Sequence, residues 1–342
     1  MATHDYVLDN ASGAAFRTDL NNALAAIATN NSNGSAPSTT YASQFFANTS
    51  TSIMQLSNTS NNAFVNLFTL AGGPAFAVDG TINSVNIGKG ANSVNGNTVL
   101  GENALDAAVT GQLNTAIGQN SMTNNTSGQQ NVAVGQDTLK ANTTGVANTA
   151  LGRSALAANT TASNNVAVGQ QSLLNNTTGT NNIAVGVEAL EACTTGGANI
   201  AIGKQALEAN TTASNNTAVG QSALKSNTTG GSNIAVGANA LDDNTTGSLC
   251  VALGRHALSA NTTANSNTAL GHNTLMANTT GSENVAVGTS TLITNSTGGS
   301  NTAVGANALD ANTTASNNTA LGRSALGANT TGSSNVAVGA NA

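Results

Sequence analysis

Few residues of this chain have types and spacings that could do chemistry. His256 and His272 are the best candidate metal-ligand pair, because the chain has a short internal repeat whose period puts them on neighbouring repeats. The place that His272 occupies in the repeat is filled elsewhere by Gln119, Arg153 and Lys204, which is typical of a variable surface position. We therefore expect no metal site.

The sets of residues that most enzymes need are also missing from the sequence. It has no Ser-His-Asp set, no pair of carboxylates in a constant frame and no glycine-rich phosphate loop before a helix. The glycines of the recurring Val-Gly and Ile-Gly pairs precede strand-like segments and not helix N-termini. We expect no catalytic residues, no cofactor and no enzymatic activity.

Asn-Thr-Thr recurs in most repeats and matches the acceptor sequence for N-glycosylation. A turn with stacked Asn and Thr side chains explains the same pattern without any modification. The N-terminus has neither the basic start nor the apolar core of a secretory signal, which favours the turn. We expect the motif to be structural.

Composition narrows the partners that this chain can have. Only 6% of its 342 residues are charged, the net charge is -6, and the eight Lys and Arg are scattered singly, so nucleic acid is not an expected partner. The longest apolar runs are too short to cross a membrane, so we expect no membrane insertion. Cys193 and Cys250 each replace an Asn of the repeat at different phases, and we predict that both are unpaired.

A glycine recurs at a constant spacing from Gly101 to Gly339, each one seventeen positions after the last, as at Gly118 and Gly135. We number each repeat, or rung, from this glycine as position 0. Position 4 is Leu in every rung except at Met122, and positions 7 and 13 are Asn with few exceptions. Position 15 is Ala in every rung from Ala116 to Ala337, and position 16 is Val, Ile or Leu. A fixed period of this kind predicts a solenoid, in which each rung buries its apolar side chains against the next.

Strand geometry lets these positions be assigned to faces. Alternate residues of a strand point to opposite sides, so positions 14 and 16 share one face while positions 13 and 15 share the other. We predict that the bulky 14/16 face fills the interior, together with Leu at position 4 from a second strand. The Ala face is then left as a subunit interface, most simply in a homotrimer. The Asn side chains should stack in hydrogen-bonded columns, and variable positions 1, 2, 5, 6 and 10 to 12 should face outward.

The chain changes character near residue 76, because all of its aromatic residues and both prolines precede Ala77. We predict a small α+β module at 1–76, with a helix over about 13–28 and strands at 41–47, 52–57 and 63–70. Residues 77–100 are predicted to form irregular opening rungs. Residues 101–342 form the regular shaft, so the predicted fold class is an all-β parallel β-roll solenoid with an N-terminal α+β module.

Two motifs of the shaft resemble known families. The phrase Asn-x-Ala-Val-Gly, and the segment from Asn83 to Gly90, resemble the head repeat of trimeric autotransporter adhesins of the YadA type. This resemblance covers about residue 83 to the C-terminus and implies a left-handed β-roll in a trimer, although the adhesin repeat is shorter and those proteins carry a signal peptide and a membrane anchor. Val-Gly-x-x-Ala-Leu also matches one hexad of left-handed β-helical acyltransferases, but no loop supplies the histidine base that they need.

Residues 1–70 resemble the N-terminal region of tail fibre proteins from marine tailed phages. The matching segments are Thr3 to Tyr6, Ser12 to Ile27, Pro37 to Tyr41 and Asn61 to Phe64. This resemblance implies a module that attaches to the virion and is followed by a projecting shaft. It also implies assembly in the host cytoplasm, which suits two free thiols.

These observations predict a structural fibre protein of a tailed-phage virion. Its expected partners are further copies of itself in a homotrimer and another virion protein bound through residues 1–76, with a host surface receptor as a further candidate. A bacterial extracellular adhesin or structural filament is the alternative function. Ice binding is a minor alternative, because Thr recurs at positions 8 and 9 of the rung.

Overall fold

The structure of this protein is a computed structural model. It describes residues 85–342 and, before them, the backbone of five strands between residues 32 and 82. The chain divides into two compact units, Met1–Gly80 and Thr81–Ala342. The helix predicted over 13–28 lies outside the described residues.

A four-stranded sheet is described in the first unit. β1 (Ser32–Asn33) pairs in parallel with β2 (Phe45–Asn48). β3 (Ile53–Ser57) pairs antiparallel with β2 on one side and with β4 (Phe64–Thr69) on the other. The last three strands lie within or next to the segments whose composition predicted strands.

The solenoid unit starts with a segment that differs from the later rungs. β5 (Gly80–Ile82) is followed by β6 (Val85–Gly88), and β6 pairs antiparallel with β7 (Thr98–Gly101). A short 3-10 turn at Ala91–Ser93 connects these two strands. The segment that resembles the repeat at 83–88 therefore does not share the parallel direction of the rungs that follow.

From β7 onward, each rung contributes one short strand that pairs in parallel and in register with the next. Ala150, for example, lies opposite Ala133 on one side and Ala167 on the other, one period away in each direction. The protein is therefore an all-β parallel solenoid of about 14 turns, and the predicted class and period are confirmed. The strands are β8 (Thr115–Ile117), β9 (Val132–Val134), β10 (Thr149–Leu151), β11 (Val166–Val168), β12 (Ile183–Val185), β13 (Ile200–Ile202), β14 (Thr217–Val219), β15 (Ile234–Val236), β16 (Val251–Leu253), β17 (Thr268–Leu270), β18 (Val285–Val287), β19 (Thr302–Val304), β20 (Thr319–Leu321) and β21 (Val336–Val338).

The strand faces are the reverse of the prediction. Ala at position 15 and Asn at position 13 are buried inside the coil, while the bulky residues at 14 and 16 lie on the outer surface. Ala218 is fully buried, for instance, whereas its neighbours Thr217 and Val219 are partly exposed. A rung with a single strand encloses a thin interior, and Leu at position 4 fills it, so that only methyl groups fit opposite. The predicted Ala-faced subunit interface is therefore wrong.

The predicted second strand is also absent from the described rungs, because positions 1 to 6 form a tight corner instead. Gly at position 0 has φ between 124° and 156°, and the residues at positions 2 and 4 also have positive φ, as at Ser222 and Leu224. A Cβ on Gly220 would lie 2.6 Å from the carbonyl oxygen of Gly237 in the next rung. Only glycine can adopt the positive φ and also leave room for the carbonyl group of the next rung, so position 0 cannot vary.

We predict that Gly220→Ala destabilises the solenoid. Holding the new alanine in a backbone conformation that only glycine adopts freely should lower the free energy of unfolding by about 1–3 kcal/mol. Its Cβ would also clash with the backbone of the next rung. The measurement is the Tm followed by circular dichroism, and the control is Gly231→Ala, whose Cβ would lie 3.3 Å from the Ser214 carbonyl oxygen. Equal Tm values for the two variants would contradict this account of the corner.

Candidate functional site

Asn at position 13 forms one hydrogen-bonded column inside the coil. The Oδ1 atom of each Asn accepts from the backbone N–H of the Asn in the next rung, as between Asn131 and Asn148 at 2.9 Å. The Nδ2 atom of Asn148 donates to the carbonyl oxygen of Ala162 at 2.8 Å. This column crosses the interior and holds position 10 against the strand.

Asn at position 7 forms a second column. Asn142 Nδ2 donates to Asn125 Oδ1 at 2.8 Å, and Asn159 Nδ2 donates to Asn142 Oδ1 at 2.8 Å. Both predicted columns are therefore present. The same Nδ2 atom is the attachment point for an N-linked sugar, and it is buried and hydrogen-bonded from Asn125 to Asn312 wherever position 7 is Asn. The turn explanation of Asn-Thr-Thr is thus consistent with the folded rung, because Thr143 Oγ1 also donates to the carbonyl oxygen of Thr160.

The two cysteines interrupt one column each, and both are free and buried. Cys193 Sγ donates to the Gly196 carbonyl oxygen, so Asn176 Oδ1 below it is buried without a hydrogen-bond partner. Burial raises the pKa of the Cys193 thiol to about 11 and also raises that of Cys250. Both thiols are therefore protonated and unreactive at neutral pH.

We predict that Cys193→Asn stabilises the protein. The new Nδ2 atom would donate to Asn176 Oδ1, and an unsatisfied buried acceptor costs about 1–3 kcal/mol. The measurement is the Tm, and the control Cys193→Ala leaves Asn176 Oδ1 without a donor. A Tm at or below the wild-type value for Cys193→Asn would show that the broken column carries no penalty.

The structure does not join the histidines into a metal site. His256 is partly buried at position 2, and His272 is exposed at position 1 of the next rung. Burial lowers the pKa of His256, and the charges of Arg255 and His272 lower it further. A neighbouring guanidinium disfavours a bound cation, so this pair stays a variable surface site.

A cluster of three carboxylates lies on another part of the outer surface, and the sequence interpretation missed it. The oxygens of Glu188, Glu191 and Glu208 lie within 4.8 Å of one another, beside a groove of about 460 Å³. Burial raises the pKa of Glu191, with added repulsion from Glu188 and Glu208. Lys225 lies 3.5 Å from Glu208 and supplies the opposing charge. The repeat could have revealed part of this cluster, because Glu191, Glu208 and Lys225 all occupy position 5 of successive rungs.

Asp242 continues the position-5 column beyond Lys225. Burial raises the pKa of its carboxyl to about 6, with a further contribution from the adjacent Asp243. One carboxyl oxygen of Asp242 is buried without a hydrogen-bond partner. The ionised form of Asp242 is therefore poorly accommodated in the folded protein.

We predict that Asp242 makes the solenoid less stable at neutral pH than at mildly acidic pH. Because its folded pKa lies above the ordinary value of 3.8, its stabilising contribution is complete below that value and is lost as the pH rises through about 6. Asp242→Asn should raise the Tm at pH 7.5, and this advantage should shrink towards pH 4. Asp243→Asn is the control, since Asp243 is exposed. An advantage that does not change with pH would contradict the assignment.

The residues at positions 14 and 16 of strands β8–β21 form a continuous row on the outer surface, which we call the aliphatic stripe. Position 16 contains only Ile, Val and Leu, and position 14 contains only Thr, Val and Ile. Leu151 is 46% exposed, Ile202 is 41% exposed and Leu321 is 48% exposed.

The other outward positions follow the prediction with one exception. Position 1 is mostly exposed, position 12 is exposed, and positions 2, 5, 6 and 11 are partly or fully exposed. Position 10, which is Gly or Ala in the regular rungs, is buried wherever another rung covers it, so its predicted outward direction is wrong. The physical reason is its carbonyl group, which accepts from the Asn side chains at positions 7 and 13.

Comparison with known proteins adds no family to this description. No family model, curated protein or solved structure matches the chain. Within the part that the structure describes, no helix is long and apolar enough to cross a bilayer. What is established is a β-solenoid repeat protein with 17-residue rungs.

Proposed function

We propose that this chain is a structural fibre or appendage protein of a tailed-phage virion. Residues 1–76 bind another virion protein, and the solenoid, a left-handed roll in a homotrimer, projects outward and takes part in attachment to the host cell. The chain assembles in the host cytoplasm and acts in the virion. The phage resemblance of residues 3–64 supports the first part of this proposal.

The observation that carries the proposal is the uniformity of the shaft. The same hydrogen bonds repeat from the Asn114–Asn131 pair to the Asn318–Asn335 pair, with one break at Cys250, and the interior of the intervening rungs is filled by their own side chains. Such an array is stiff along its length and presents chemistry only on its outside. These are the properties of a spacer or attachment fibre.

The outer surface suits recognition through polar groups. Positions 5 and 11 vary from rung to rung and are partly or fully exposed, and the described rungs contain no aromatic side chain on which a sugar ring could stack. A receptor would therefore be bound by hydrogen bonds and charge along several rungs. A shaft that only extends a separate receptor-binding protein fits the same surface.

The test uses an antibody raised against residues 101–342 and purified particles of a phage that carries this gene. We expect immunogold labels on appendages outside the capsid and reduced adsorption of labelled phage to host cells, with pre-immune antibody as the control. Labelling without a change in adsorption would make the shaft a spacer. Absence of the protein from purified particles would contradict the proposal, and labels on the bacterial surface would favour the extracellular filament.

A further inference from the structure

We infer that the aliphatic stripe is the surface through which copies of this chain pack side by side, in parallel and with equal rungs at equal heights. The inference deepens the proposed function by naming the face and the polarity of assembly. It replaces the Ala face, which the fold buries inside each coil.

The area of the stripe exceeds what a lone soluble protein usually exposes. Each of the strands β8–β21 contributes two side chains, all of them partly or fully exposed, which together amount to an apolar surface on the order of 1,000 Å². The largest apolar patch on a typical monomer is about 300–600 Å², and a stable interface buries about 800 Å² on each partner. The stripe is therefore large enough to hold copies together.

The chemistry of the stripe is that of an interface core. It contains no charged residue over its whole length, and charged residues are depleted at the centre of interfaces. Position 16 is aliphatic in every rung whereas position 14 includes Thr, so position 16 belongs nearer the centre of the contact. Most of these side chains are β-branched and lose little rotamer entropy when they are covered.

The repeat identifies the partner as a second copy of the chain. The stripe is unbroken and repeats with the strand spacing of about 4.8 Å. A covering surface must carry the same spacing over the same length to fill every gap between side chains. An identical solenoid satisfies this condition in every rung.

The two edges of the stripe indicate the polarity. From β8 onward, position 1 follows each strand and its charged residues are the exposed cations Arg153, Lys204, Arg255 and Arg323, whereas position 12 precedes each strand and has Glu283 as its one charged residue. Copies related by rotation about an axis along the solenoid place the position-1 edge of one against the position-12 edge of the next. Antiparallel copies place each edge against its own kind, so the cationic edges would face each other and repel.

Individual rungs support the same register. Position 12 is Ala or Leu in only four regular rungs, and in three of these the residue at position 1 after the same strand is a long cation. The three pairs are Ala147 with Arg153, Ala198 with Lys204 and Leu249 with Arg255. Within one chain the strand between them separates the members of each pair. Across a parallel, in-register interface, the stem of the cation would lie over the small or aliphatic partner and keep its charge in water.

The first test measures assembly with light scattering and sedimentation. We expect the full chain, of 33.4 kDa, to be an oligomer at micromolar concentration. The double variant Leu151→Glu, Leu253→Glu should raise the apparent dissociation constant at least about 100-fold, since each buried carboxylate would be unpaired. Both leucines are exposed in the single chain, so circular dichroism should be unchanged. Thr144→Glu, Thr246→Glu is the control, because these exposed residues lie outside the stripe.

The second test reads the register directly and does not depend on what residues 1–80 contribute to assembly. In the full chain, Ala198→Cys with Lys204→Cys should form disulfides between copies under mild oxidation, while Ala198→Cys with Arg255→Cys, three rungs apart, should not. Cross-linking of the second pair, or of neither pair, would overturn the inference, as would a monomeric wild type. Virion labelling is a separate readout: an oligomer that is absent from particles would refute the proposed function and leave this interface intact.

Discussion

The whole structure depends on how a thin coil satisfies the polar groups that it encloses. A 17-residue rung with one short strand encloses room for a leucine, small side chains and little else. Its backbone groups at the turns lie inside, where water is excluded and an unpaired polar group is costly. The two Asn columns meet this need, because each amide can both donate and accept and therefore serves its own rung and the adjacent one.

That constraint explains why variation is distributed so unevenly over the rung. From Gly118 onward, Asn at positions 7 and 13 is replaced only by Cys193 and Cys250, whose thiols fit the space and make weak hydrogen bonds to carbonyl groups. The replacement at Cys193 leaves Asn176 Oδ1 unpaired, which shows how one substitution affects the neighbouring rung. Positions whose side chains reach solvent are free of this coupling and change from rung to rung.

Sequence patterns predicted the period, the interior leucines and both Asn columns, since each of these follows from identical residues at fixed spacing. They failed on the strand faces, because alternation shows which residues share a face but not which face is inside. The deciding fact is the width of the coil, and this depends on the corner at positions 2 and 4, where non-glycine residues such as Ser222 and Leu224 have positive φ. Sequence propensity disfavours that conformation, and the surrounding rungs impose it. The carboxylate cluster was missed for a related reason: Glu191 and Glu208 share position 5, but Glu188, at position 2, becomes their neighbour only once the corner is known.

The reversed faces change what the repeat means for assembly. An interior built from alanine and leucine needs no partner to be buried, so a single chain can complete its own core. The aliphatic residues left outside are not part of this core, yet they persist in every regular rung without one charged substitution. A solvent-facing column under no constraint would vary as position 1 does, where Gln119, Arg153, Val187 and Thr289 alternate. The uniformity of position 16 beside the variability of position 1 is what the inferred interface along the aliphatic stripe requires.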